Sequence, residues 1–159
     1  ENDSPITEIL RWVVNQYQQM GEHVDDVCMI LATAPLIDGH DIEQAYKLFL
    51  ENERKYPVLS VSTFPAPVER GFKIGEKGLL EPMFPNMLSK HSQELSPTFH
   101  DAGALFFIDG QKLISDTIEV YDRYIPYVLP RTKAVDIDEP EDLEMAEILY
   151  LGNKARKKK

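Results

Sequence analysis

The sequence predicts an α/β protein with a mixed, mainly parallel sheet flanked by helices. Three observations carry this expectation. Val27-Cys28-Met29-Ile30-Leu31-Ala32 and Ala104-Leu105-Phe106-Phe107-Ile108 are unbroken apolar runs, read as strands buried on both faces. Other segments carry apolar residues at helical spacing. The two kinds of segment alternate, the order that builds largely parallel sheets.

The elements follow in order. Ser4 and Pro5 are an N-cap and a first helical residue for a helix over 5–20. It carries Ile6, Ile9, Leu10, Val13, Val14 and Tyr17 and is closed by Gly21. A strand over 27–32 ends at Thr33-Ala34-Pro35. Asp38 to Asp41 cap a helix over 41–53 with Ile42, Ala45, Tyr46 and Phe49 on one face. The next strand is 58–62. Prolines at 65, 67, 82, 85 and 97 then break all periodicity. Phe72-Lys73-Ile74, Gly75 to Gly78 and Leu79-Leu80 read as a small hairpin within this stretch. The 65–97 stretch is an excursion from the sheet: a lid, a subunit contact or a plain surface loop. A strand over 104–108, a short helix over 111–114, a strand over 132–137 and a helix over 140–150 complete the domain. The helix bears Leu143, Ala146, Leu149 and Tyr150. One domain over 1–152 results, with a basic, solvated tail over 153–159.

Composition narrows the function. The chain has 159 residues, 43% apolar and 28% charged, as expected of one globular domain. A net charge of −10 argues against broad nucleic-acid binding. No apolar run reaches the length of a membrane-spanning helix. Cys28 is the single cysteine, so no intramolecular disulfide forms, and a reducing cytoplasm is the expected location.

Three groups of residues are chemical candidates. Asp136 and Asp138 stand two apart where a strand runs into a helix, at the edge where open α/β sheets bind ligands. Two such carboxylates suit Mg²⁺. Asp138-Glu139-Pro140-Glu141 also has the form of a capping box, so a structural role competes. His100-Asp101-Ala102-Gly103 precedes the apolar strand; His100 and Asp101 offer hydrogen bonds, and Gly103 allows close backbone approach. A polar turn is the alternative. Thr33 and Pro35 can line a pocket or merely end a strand. No phosphate-binding glycine loop, nucleophile elbow or zinc spacing is present.

Taken together, Leu31-Ala32-Thr33-Ala34-Pro35-Leu36, Ser92-Gln93-Glu94-Leu95 with Phe99-His100-Asp101-Ala102-Gly103, and Val135-Asp136-Ile137-Asp138-Glu139-Pro140-Glu141-Asp142 resemble the acylneuraminate cytidylyltransferases. The Ala-Thr-Ala-Pro and His-Asp-Ala-Gly forms are most similar to the pseudaminic acid branch. The resemblance implies a Rossmann-like nucleotidyltransferase fold of the GT-A type. It implies transfer of CMP from CTP to a nine-carbon acidic sugar, release of pyrophosphate, and Mg²⁺ held by Asp136 and Asp138. It also implies that Ser92, Gln93, His100 and Asp101 face the sugar, that Arg70, Lys90, His91 and Arg131 are available for its carboxylate or the phosphates, and that the 65–97 insert joins a homodimer. His91 stands where that branch usually has Arg, which removes a bidentate carboxylate contact. The family's glycine- and arginine-rich first loop has no counterpart here, and the chain opens on Glu1-Asn2-Asp3-Ser4. The expectation is therefore an N-terminally truncated domain, inactive in isolation, whose sheet exposes an apolar edge. The strand over 104–108 is expected to run antiparallel to most of the sheet, bringing His100 and Asp101 to the edge that holds Asp136. Sialic, legionaminic and deoxyoctulosonic acids are alternative substrates, and a non-catalytic domain is the alternative outside enzymology.

Overall fold

A computed structural model describes residues 6–91, 95–115 and 123–156. The elements are α1 (Ile6–Gln19), β1 (Asp26–Ile30), α2 (Gly39–Glu51), β2 (Val58–Thr63), β3 (Phe72–Ile74), β4 (Leu80–Pro82), β5 (Phe99–Asp109), α3 (Gly110–Ile114), β6 (Ile125–Val128) and α4 (Pro140–Arg156). The cap expected at Ser4 and Pro5 lies outside the described residues.

β1, β5, β2 and β6 form one sheet in that order, while β3 and β4 pair separately. β5 runs antiparallel to β1 and β2, and β2 runs parallel to β6. Three strands thus share one direction and β5 opposes them, as the sequence predicts for its apolar run.

β5 is continuously apolar because both of its faces are covered. Phe106 and Ile108 pack with Val14 and Leu113 on the α1 and α3 side. Leu105 and Phe107 pack with Ala45, Phe49 and Val58 on the α2 side. This is the two-residue alternation of a strand, with an apolar partner on each side. The same pattern misleads at β1. Its run is just as apolar, yet β1 is an edge strand, with Cys28 exposed and Ile30 half-exposed. The reading of 27–32 as a fully buried strand is corrected accordingly. This edge strand leaves Cys28 and Ile30 exposed, and α1 separately exposes Ile9, Trp12 and Tyr17.

The last strand is also corrected. Residues 132–137 form no ladder; the pairing segment is Ile125–Val128. Pro126 obscures it in sequence, but a proline is tolerated on an edge strand, which β6 is. The 134–137 segment instead lies under α4, where Val135 and Ile137 pack with Leu36 and Ala146. α4 itself continues to Arg156, so much of the expected tail is helical.

A polar staple fixes the start of β1. Asp26 accepts hydrogen bonds from Arg54 Nε (2.7 Å), Arg54 Nη2 (3.0 Å) and the Tyr46 hydroxyl (2.7 Å). Glu53 and Arg54 reach this geometry through left-handed backbone at φ 54° and 56°. Lys112 Nζ donates to the Arg54 carbonyl at 2.6 Å. The Arg54 guanidinium holds the Asp26 carboxyl below its ordinary range, against the upward push of burial. A carboxyl depressed in the folded state adds stability above its unfolded pKa, about 3.9, and loses it as pH falls through the folded value. Asp26→Asn is therefore expected to lower stability at pH 7 and to flatten the acid limb below about pH 4. Thermal melts from pH 7 to pH 2.5 check this; parallel curves for the two proteins would refute it.

Candidate active site

The site grows from an irregularity in β5. Leu59 pairs with Phe106 and Val61 with Asp101, so Ser60 alone faces residues 102–105. The buried Ser60 hydroxyl repairs the ladder by accepting the Leu105 N–H at 2.9 Å. Gly103 forms the corner of this bulge at φ +56°, a left-handed conformation that suits glycine. His100-Asp101-Ala102-Gly103 thus lies inside a long strand rather than in a turn before one, and the bulge replaces the turn.

Asp136 occupies the space beside this corner. A Cβ on Gly103 would overlap the Asp136 carboxylate, with Asp136 Cγ only 2.6 Å away. Asp136 Oδ1 is buried and has no hydrogen-bond partner among the described residues. A buried carboxylate oxygen without a donor is costly unless a water or a cation meets it. Val135 and Ile137 pack into the α4 cluster, while Asp136 lies against Gly103. The Ile137 N–H donates to the Thr33 carbonyl at 3.0 Å, tying this segment to the end of β1.

Asp138 is exposed, and its carboxylate takes no part in capping α4. The Asp142 carboxylate instead accepts the backbone N–H of Asp138 (3.1 Å) and of Glu139 (2.8 Å). The box expected from Asp138 and Glu141 does not form; Asp142 reaches back to the Glu139 N–H, and the Asp142 N–H returns to the Glu139 backbone carbonyl rather than to its side chain. The competing structural role for Asp138 falls away.

Asp101 Oδ1 accepts the Gly103 N–H at 2.9 Å and pins the bulge. His100 Nδ1 lies 2.7 Å from the Asp101 carbonyl, so Nδ1 carries a proton and Nε2 stays available. Phe64 packs against the His100 ring at 5.1 Å. The structure thus gathers Thr33, Asp101, Gly103 and Asp136. Arg70 and His91 are exposed in the 65–97 insert, where Arg70 Nη2 donates to the Lys90 carbonyl at 3.2 Å. Arg131 is exposed on the turn after β6, and Pro35 lines a cavity with Pro130 and Tyr150. Ser92 and Gln93 lie outside the described residues. Sequence reasoning missed Ser60 and Asp142. A serine centred in an apolar strand, facing a glycine-bearing strand, was the available signal for the first.

The donor set fits Mg²⁺. Among the described residues no group of three or more His, Cys, Asp and Glu converges. Asp136, with its orphaned oxygen, suits an ion that takes one or two carboxylates from protein and its other ligands from phosphate and water. Among the described residues no helix is long and apolar enough to cross a membrane.

No protein-family model matches the chain. It is 31% identical over 147 residues, 92% of its length, to a pseudaminic acid cytidylyltransferase of Campylobacter jejuni serotype O:2. It is 32% identical over 136 residues, 86% of its length, to the enzyme of the same name from serotype O:23/36. The chain spans 63% and 58% of these relatives' lengths.

Proposed function

Because the chain belongs to the family of the pseudaminic acid cytidylyltransferases, we propose that its parent protein transfers CMP from CTP to pseudaminic acid or a close nine-carbon sugar acid, with release of pyrophosphate. The observation that carries the site assignment is the Asp136 carboxylate, set against the bulge at Gly103 through Oδ2 and Cγ, with its other oxygen, Oδ1, buried and unpartnered among the described residues. Asp136 and Asp138 are the residues that would hold Mg²⁺, and the bound ion supplies charge neutralisation to the nucleotide phosphates. The chain's own residues position the acceptor. Asp101 keeps the bulge open, and His100 presents Nε2 to a sugar hydroxyl with its ring fixed by Phe64 and the Asp101 carbonyl. Arg70, Lys90 and Arg131 are the cations for the sugar carboxylate and the phosphates, and His91 offers a ring N–H. Alignment of a bound hydroxyl with the α-phosphorus is the main contribution left to the protein. The test is pyrophosphate release by the full-length protein with CTP and a panel of sugar acids. Pseudaminic acid should be turned over faster than sialic, legionaminic or deoxyoctulosonic acid. Failure with every acid would overturn the reading.

The hairpin of β3 and β4 supports a homodimer as the working form. It forms a two-stranded sheet of its own, with Ile74, Leu79 and Leu80 each at least two-thirds exposed. An isolated hairpin is marginal in water, and exposed apolar residues on it call for cover. Light scattering of the full-length protein should report a dimer, and Ile74→Ser with Leu80→Ser a monomer. A monomeric parent at high concentration would remove this reading.

A further inference from the structure

A separate cavity of about 520 Å³ lies at the C-terminal end of α4, within the size range of small-ligand pockets. Its walls are largely apolar, with Pro35, Pro130 and Tyr150 among them. Its cations are Lys133, Lys154 and Arg156. Lys133 is more than neutralised, with Nζ 2.6 Å from Asp41 Oδ2 and 3.0 Å from Asp38 Oδ2, and Asp38 itself lines the cavity on that side. Lys154 and Arg156 are not neutralised. Neither forms an ion pair among the described residues, and Lys154 rests 5.8 Å from the centre of the Tyr150 ring. Two uncompensated cations beside an apolar cavity stand out on a chain with a net charge of −10.

We propose that this cavity binds a small organic anion, its flat ring against Tyr150 and its carboxylate or phosphate at Lys154 and Arg156. Two sources share that chemistry, nucleotides and aromatic carboxylic acids. The apolar walls and the Tyr150 face select the ring, and the cations select the charge. The inference rests on these residues alone and not on the assignment of Asp136.

The test is titration of this 159-residue chain with CMP, phenylacetate, cytidine and inorganic phosphate, followed by nuclear magnetic resonance and calorimetry. CMP or phenylacetate should bind with a dissociation constant on the order of 1 mM or tighter, and the tighter of the two identifies the source. Cytidine and phosphate, each lacking one half of the recognised chemistry, should bind at least about 10-fold more weakly than the better anion. Lys154→Gln with Arg156→Gln should weaken binding at least about 10-fold while the helical circular dichroism is retained. Asp136→Asn should change nothing. Three results would each overturn the proposal: no binding of either anion, binding unaffected by the double substitution, or binding abolished by Asp136→Asn.

Discussion

Asp136→Asn in the full-length protein is expected to lower CTP-dependent turnover about 100-fold or more while leaving the fold intact. The amide keeps the size of the side chain but removes the charge that would hold Mg²⁺. Its effect on stability should be small or favourable, because the replaced oxygen is buried without a donor. Asp138→Asn should also depress turnover. Its stability should stay near wild type, because Asp142 and not Asp138 accepts the N–H groups at the start of α4. Asp142→Ala should carry that cost instead, about 1 kcal/mol, as for the loss of other capping side chains. Initial rates at saturating Mg²⁺, alongside denaturant melts of the three variants, separate the roles. Near-normal turnover in both Asn variants would make the acids structural.

Gly103→Ala is expected to have the second large effect, and it strikes fold and site together. An L-residue at φ +56° costs roughly 1–2 kcal/mol. Its Cβ would also overlap the Asp136 carboxylate, so the carboxylate or the bulge must move. A displacement of about 1 Å in a positioned group is enough for a loss of about 100-fold in turnover. The contact has a signature of its own. In an Asp136→Ala background the overlap disappears, so Gly103→Ala should destabilise less there than in the parent, leaving only the backbone strain. Strictly additive costs in that double-mutant cycle would show that Asp136 does not occupy the space beside Gly103.

Some of this was legible in the chain and some was not, and the residues explain the division. The run from Ala104 to Ile108 identified a central strand because its covered faces leave no room for polar side chains. Helix α2 was legible from its cap at Asp38 and its apolar face, and the hairpin from Gly75 to Gly78 between short apolar segments. The local pattern of β1 was indistinguishable from that of β5. Only the order of strands made one an edge and the other a centre, and strand order is a property of long-range pairing. The last strand was misplaced for a related reason. Val135 and Ile137 are apolar at two-residue spacing because they pack under α4, not because they join a ladder, whereas Ile125–Val128 carries a proline that only an edge position permits.

At the site, the sequence by itself determined which residue types were present: two carboxylates two apart, a His-Asp pair and a glycine before an apolar run. The tertiary structure decided what they do to one another. It turned the presumed turn into a bulge closed by Ser60, moved the helix cap from Asp138 to Asp142, and set Asp136 against the one position in β5 without a side chain. Propensity and spacing act over a few residues and can be read along the chain. Placement of one carboxylate against a glycine 33 residues away follows from packing three segments at once, and no local pattern encodes it.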